Sequence, residues 1–544
     1  MTTLSPIVAE PVPLPTAPVR RRWDIAGVLL SGYAFLLCVA WSNRVFNWFI
    51  LPKAALGLGV IGPGLVALTW LLTRRDLPAM AATAFLGLAA LATALADEPV
   101  MSFFGEYFSL NGFVFVAAGV ATWALGRTAR GRSRFVEVAL VAGATVNAAV
   151  AWLQVSTDLG VEGLGLFEGR AQGLMGNPVF LAALCAGGLW LVLARERRAA
   201  RPLMWLALGG FLTGAIELSG SRISLAVGFG VVIWFVVAHL RRAAWSRAAF
   251  VVLAVVAGFA IAQVPGSPQA SGAERVGADA SNGLGPRVQL WRAAIEAVGD
   301  RPVLGYGPGR TQAATSPRRS LTLARYEGPD VLFADAHNFI VEVLTTTGIL
   351  GFAAFLAWLV LAGRRARGPL AGFAVVGAVA MLLEPLNVGL TPLVLLAFGA
   401  AGADATERAL SDGSWFRSRL AVGISVVTLA AGAAIGVVLI SGDTHYRQAL
   451  RESSVAELAA AERRFPPWPQ VPGVRASLFA AAARNGGRPA GQHAIAAARD
   501  ALARDEADPY WWYTLGAFEE QWGTSARATE AYRQALRRNP WSQT

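Results

Sequence analysis

The sequence predicts an all-α, polytopic membrane protein of about 12 to 13 transmembrane helices, with one large outer loop and a C-terminal helical repeat domain. Three observations predict it. Of 544 residues, 55% are hydrophobic and 15% charged, with a mean hydropathy of +0.48, too apolar for a soluble protein of this size. Apolar runs long enough to cross about 30 Å of hydrocarbon recur along most of the chain. After about residue 441 the composition turns abruptly to Ala, Arg and Glu.

Residues 1–22 are Pro-rich and lack the cleavage pattern of a signal peptide, so a disordered cytoplasmic tail is expected there. The membrane domain, 23–441, holds apolar runs at about 24–42, 52–73, 79–96, 112–126, 135–156, 178–194, 202–218, 223–240, 248–264, 338–362, 369–386, 388–403 and 418–440. Basic clusters at Arg20–Arg22, Arg74–Arg75, Arg127–Arg134, Arg195–Arg201, Arg241–Arg247, Arg364–Arg367 and Arg408–Arg419 fall in every second connection, as the positive-inside rule requires. The net charge of +12 therefore reports topology, and no nucleic-acid partner is expected. The N-terminus is expected in the cytoplasm and, with an odd helix count, the C-terminus outside. The outer connections are then 43–51, 97–111, 157–177, 219–222, 265–337 and 386–388. Cys38 and Cys185 both sit in apolar runs and suggest neither a disulfide framework nor a metal site.

The terminal segment, 445–544, ends in WYTLGAFEEQWGTSARATEAYRQALRRNP, where Trp512, Leu515, Gly516, Gly523, Ala528, Tyr532, Ala535, Leu536 and Pro540 fall at tetratricopeptide spacings. Such helix pairs bury their apolar faces only by stacking. The segment is expected to be either a stabilising appendage or an outer docking surface for a protein partner.

Charged residues at the ends of membrane helices are costly and so are functional suspects. Arg222, in ELSGSRISL, stands at the outer mouth of a tight hairpin, with Ser219 and Gly220 beside it. The plain alternative is an arginine snorkelling at a helix end. The outer loop carries Arg287, Arg292, Arg301, Arg310, Arg318, Arg319 and Arg325, a cationic set suited either to anionic lipid or to a phosphorylated substrate. Within it, Val288, Trp291, Ala294, Ile295 and Val298 recur at helical spacing, giving an amphipathic helix able to lie on the bilayer. His337 ends the loop, before an apolar run that contains Glu342. An imidazole there can accept a proton near neutral pH, and Glu342 is placed to bond polar neighbours or orient a donor. Gly348 and Gly351 read as close-packing positions that let this helix approach its neighbours. Asp97, Glu98 and Asp335 are too scattered for a metal motif and are expected to be solvated loop charges.

HNFIVEVLTTTGILG, with His337, Asn338, Gly348 and Gly351, resembles the His-polar…Gly-two-Gly signature of the O-antigen ligase and polymerase superfamily. SGSR at Arg222 resembles its serine-arginine motif, and GPRVQLWRAAIEAVGDRPVLGYGPG resembles the segment of its large periplasmic loop that begins at Arg287. RAQGLMGNPVFLA from Arg170, and ILPKAAL around Lys53, look like further landmarks, in the family's order, over about residues 24–440. The resemblance implies a GT-C-like, inverting glycosyltransferase of the bacterial inner membrane that needs no metal and no cofactor. Its donor would be an undecaprenyl-diphosphate-linked glycan, and its acceptor a glycolipid, a glycan or a protein. Arg222 and Arg287 would bind the diphosphate, with Lys53 and Arg170 as secondary phosphate or glycan contacts, and His337 would activate or orient the acceptor. Asn338, Glu342, Ser219, Gly348 and Gly351 would support them.

The helical tail departs from a plain lipopolysaccharide ligase, so polysaccharide polymerase and protein O-oligosaccharyltransferase remain alternatives. A lipid-linked glycan transporter, or an assembly scaffold acting through its tail, are readings of other classes. A transporter would place its charges near mid-bilayer, whereas these gather at one face.

Overall fold

The computed structural model describes residues 24–157, 159–196, 202–241, 244–263, 280–403 and 419–542. The expected tail 1–22, the loop stretch 265–279 and basic residues Arg20 to Arg22 and Arg408 lie outside the described residues. In chain order the α-helices are α1 (Ile25–Val39), α2 (Ile50–Thr73), α3 (Leu77–Ala94), α4 (Pro99–Phe104), α5 (Phe113–Arg127), α6 (Ser133–Ser156), α7 (Pro178–Glu196), α8 (Pro202–Leu218), α9 (Arg222–Leu240), α10 (Trp245–Ala262), α11 (Ala280–Asp300), α12 (Thr311–Thr315), α13 (Leu321–Glu327), α14 (Phe339–Gly363), α15 (Gly368–Met381), α16 (Leu390–Ala403), α17 (Arg419–Glu452), α18 (Val455–Glu462), α19 (Gln470–Gly486), α20 (Arg488–Arg504), α21 (Pro509–Trp522) and α22 (Ser525–Arg538). Helices α2, α3, α6, α7, α9, α10, α14 and α17 are long and apolar enough to cross a membrane, and α1, α5, α8, α15 and α16 are shorter apolar helices. Together they account for every apolar run of the sequence.

Two cores hold the bundle. Helices α1, α6 to α10, α15 and α16 enclose one, and α2, α3, α5 and α14 enclose another around Phe85, Trp123 and Trp358. Glycines let backbones touch where lipid supplies no hydrophobic drive between helices. An added Cβ at Gly258 of α10 would stand 1.9 Å from Gly210 O of α8. One at Gly432 of α17 would stand 2.3 Å from Leu58 O of α2.

The alternate connections separate to two ends. At the basic end, buried Asp76 accepts from Arg127 at 2.9 Å and Arg365 at 3.1 Å, and Arg132 pairs with Asp24 at 2.8 Å. At the other end, Asn47 donates to Tyr107 O at 3.0 Å, Ser102 to Pro308 O at 3.1 Å and Asn111 to Ala334 O at 2.9 Å. The long loop and the C-terminal helices share this second end.

Helix α17 runs unbroken for 34 residues, so the expected change of domain near 441–445 falls inside one helix. Asp443 on it accepts from the Phe46 and Asn47 amides and from the Tyr107 hydroxyl, which fixes it to the bundle end. An apolar cluster that includes Tyr107, Tyr446, Phe465 and Trp468 continues the contact, and Trp468 donates to Gly105 O at 2.9 Å. The tail helices pack as α19 on α20 and α21 on α22.

Candidate active site

The head of α14 is a turn pinned by five hydrogen bonds. Asn338 caps the helix, its side-chain oxygen accepting from Ile340 N at 2.9 Å and Val341 N at 3.2 Å. Glu342 Oε2 accepts from Ala336 N at 2.8 Å, and Trp291 on α11 donates to Ala336 O at 2.9 Å. His337 follows with φ +48°, a conformation a non-glycine residue keeps only when its surroundings impose it. Its amide donates to Asp335 Oδ1 at 2.7 Å. The ring lies edge-on to Phe333, and its Nδ1, enclosed, sits 3.7 Å from the same carboxylate oxygen. Burial, and after it Arg287, push the imidazole down to about 4. His337 is therefore neutral at pH 7. Burial raises the Asp335 carboxyl.

Arg287, near the start of the described side chains of α11, reaches Glu384 at 3.4 Å, in the connection between α15 and α16. Burial lifts Glu384 to about 7 against the pull of Arg287 and Arg170. Both arginines therefore act on one enclosed carboxylate, and Arg287 acts on the His337 imidazole as well. Arg170 is set by a short antiparallel bridge to Phe167, and its Nε donates to Ser219 O at 3.0 Å. Its aliphatic part passes over Gly220, which turns the chain at φ +60°. Ser221 then caps α9 and Arg222 opens it, half-buried. The structure thus joins Arg170 to the connection bearing Arg222, and Arg170 and Arg287 to Glu384.

Other candidates take different places. Lys53 is 2% exposed, and its ammonium donates to Ala40 O and Leu174 O at 2.7 Å each and to Phe49 O at 3.4 Å. Its three protons are committed to main chain, which makes it a tie between α1, α2 and the 157–177 connection. Ser219 spends its hydroxyl locally, donating to Ile216 O at 2.6 Å and accepting from Ser221 N at 3.1 Å.

Four expectations need correction. The amphipathic helix buries Leu290, Ala293, Ala294 and Ala297 against the protein and leaves Ile295 55% exposed, so most of its small apolar residues pack on the fold. Most loop arginines are structural: Arg301 pairs with Asp97, Arg310 with Glu98 and Asp505, Arg318 with Asp300, and Arg319 bonds Gly328 O and Pro329 O. Glu98 and Asp335 are enclosed, at 18% and 13% exposure, and are not solvated loop charges. Gly348 does not admit a neighbouring helix. It breaks α14 at φ +64° and ψ −171°, and an added Cβ would stand 2.4 Å from the Val303 carbonyl.

That break admits the long loop between α10 and α14. Tyr306 N and Gly307 N donate to Thr345 O and Thr346 O at 3.1 and 2.8 Å, while Ile349 N and Leu350 N donate to Pro302 O and Val303 O at 2.8 and 3.3 Å. The backbone groups orphaned by the break are thereby satisfied within the bundle, the condition for irregular chain at this depth. Gly351 packs against Thr347 of its own helix.

An apolar cavity of about 380 Å³ runs beside α14 from Phe339 to Gly363, between it and α3, α5, α15 and α16. Val343, Phe355, Met381 and Val394 line it, together with Phe339 and Leu386. Those two residues stand two positions from His337 and from Glu384. Glu384 was missed in the sequence because it falls inside an apolar run, although an ionisable residue there is itself a signal.

Comparison with known proteins adds one finding. The family model described as O-antigen ligase matches residues 203–356, the stretch from α8 to α14 that carries Arg222, Arg287 and His337. No curated protein matches the chain.

Proposed function

We propose that this chain transfers a glycan from a polyprenyl-diphosphate donor to an acceptor hydroxyl, a reading supported by the O-antigen ligase model that matches residues 203–356. The observation that carries this reading is the cluster in which Arg287 and Arg170 act on enclosed Glu384 and Arg287 acts on His337, next in the chain to an apolar cavity lined by Phe339 and Leu386. A prenyl chain suits the cavity. The diphosphate then lies where Arg287 and Arg170 now face Glu384, with Arg222 at the adjoining helix start.

Chemically, the acceptor oxygen attacks the anomeric carbon as that carbon's bond to the diphosphate oxygen breaks, and the configuration inverts. The hydroxyl proton passes to the Nε2 edge of His337, and the electron pair leaves on the diphosphate. Fixed guanidinium forks stabilise that departing charge without reorganising. The arriving anion also offsets Arg287, which raises the basicity of His337 when a base is needed. For Nε2 to take the hydroxyl proton the neutral ring carries its own proton on Nδ1, the edge that faces Asp335 Oδ1 at 3.7 Å. Lys53 remains outside this step because its protons hold main-chain carbonyls.

The basic end of the bundle faces the cytoplasm, and the site and C-terminal domain face the periplasm of a bacterial inner membrane. Purified protein incubated with polyprenyl-diphosphate glycan and candidate acceptors, with products read by mass, tests the reading. A lengthened glycan identifies a polymerase, a glycan on lipid core a ligase, and a glycan on protein an oligosaccharyltransferase. Passage of the donor across a vesicle with no new glycosidic bond identifies a transporter and refutes the proposal.

A further inference from the structure

The C-terminal domain reaches the turn bearing His337 through polar contacts joined by steps between chain neighbours. Asp505, at the end of α20, accepts from Arg310 at 2.9 Å. Arg310 is 3% exposed, also donates to Glu98 at 2.8 Å, and stands at the start of α12. The next residue, Thr311, is fully buried and donates to Glu342 Oε1 at 2.7 Å. The other oxygen of that carboxylate holds Ala336 N at 2.8 Å, and His337 follows in its constrained conformation.

The end of the tail grips the same loop further on. Arg319 donates to Asn539 Oδ1 at 3.2 Å, Asn539 donates to Pro329 O at 2.9 Å, Trp541 donates to Arg319 O, and Ser542 donates to Asp330 at 2.7 Å. Loop segments on the way to His337 are thus held from the tail at two places. A buried guanidinium that loses a carboxylate must move or admit water. Thr311, its neighbour in the chain, would move with it, and so would the carboxylate that sets the Ala336–His337 turn.

We propose that the C-terminal domain is a working part of the active site: Asp505 is a positioning residue that, through Arg310, Thr311 and Glu342, sets how His337 is presented. The inference rests on the reading of His337 as the acceptor-activating group. It gives the tail a role beyond docking a partner, and it places Glu98 in the same assembly as the second carboxylate on Arg310.

The test uses the full-length protein in nanodiscs, with Asp505→Asn, Asp505→Glu and Thr311→Val. Two quantities are read: the kcat and donor KM for transfer, and the rate at which His337 reacts with diethyl pyrocarbonate, followed by peptide mass. Asp505→Asn and Thr311→Val are expected to lower kcat by about 10- to 100-fold while the donor KM stays within about twofold. Both should change the His337 reaction rate several-fold relative to His445 and His493, and Asp505→Glu should restore both quantities. Thr311→Val removes one hydroxyl without touching the tail, so it answers the question even where Asp505→Asn folds poorly. Wild-type kcat and His337 reactivity in Thr311→Val, or an Asp505→Asn loss that only tracks the folded fraction, overturns the inference. A changed His337 reactivity in a protein that transfers no glycan supports the linkage and refutes the transfer reading instead.

Discussion

His337 shows how much a single position reveals when its surroundings are known. A histidine ahead of an apolar run is visible in the sequence, as are Arg222 and Arg287, because charge at a membrane edge stands out against hydrocarbon. Its neutrality is not visible, since that depends on burial and on an arginine 50 residues earlier in the chain. Replacing that arginine gives a prediction with a definite sign. Arg287→Gln removes a positive charge that disfavours the imidazolium, so the His337 pKa should rise from about 4 toward 6.5. The pH at which His337 loses reactivity toward diethyl pyrocarbonate should therefore move upward in the variant. An unchanged midpoint would show that Arg287 does not act on the imidazole. Arg287→Lys should not restore donor binding, because an ammonium lacks the planar fork that meets two phosphate oxygens. Isothermal titration with polyprenyl diphosphate checks this.

Among the elements, α14 departs most from what its hydropathy suggests. The run 338–362 reads as one continuous span, and the break at Gly348 is hidden because a backbone turn costs no polarity in the sequence. The reason for the break lies in another segment: residues 302–307 enter and replace the missing helical bonds. Gly348→Ala should destabilise the protein by more than about 3 kcal/mol, since it combines a glycine-only conformation with a collision against Val303. Thermal unfolding followed in detergent should show a clear loss of Tm, whereas Gly363→Ala, whose Cβ meets open space, should stay within about 0.5 kcal/mol of wild type. Equal effects at the two glycines would remove the argument for a built-in break. The amphipathic helix α11 teaches a related lesson. Its periodicity is legible, but the partner of its apolar face is not, and here the partner is protein.

At the scale of the whole molecule, the alternation of basic connections was enough to sort the loops into two ends, and the contacts agree: Asp76 gathers Arg127 and Arg365 at one end. What stayed hidden were pairings between distant parts of the chain. Arg310 meets Glu98 and Asp505 across separations of 212 and 195 residues, which no local pattern encodes. The membrane orientation is open to direct labelling, because the native Cys38 and Cys185 are buried. A cysteine at Arg134 should react with an impermeant maleimide only from the cytoplasmic side, and one at Ala503 only from the periplasmic side. Labelling of both from one side would contradict the assignment. The central claim is that the site at this second end transfers a glycan with His337 as the proton acceptor. Its most direct test is single-turnover transfer from a purified polyprenyl-diphosphate glycan, comparing wild type with His337→Ala under saturating donor. The account predicts near-normal donor binding in His337→Ala and transfer slowed by at least about 100-fold; transfer at the wild-type rate in that variant would contradict it.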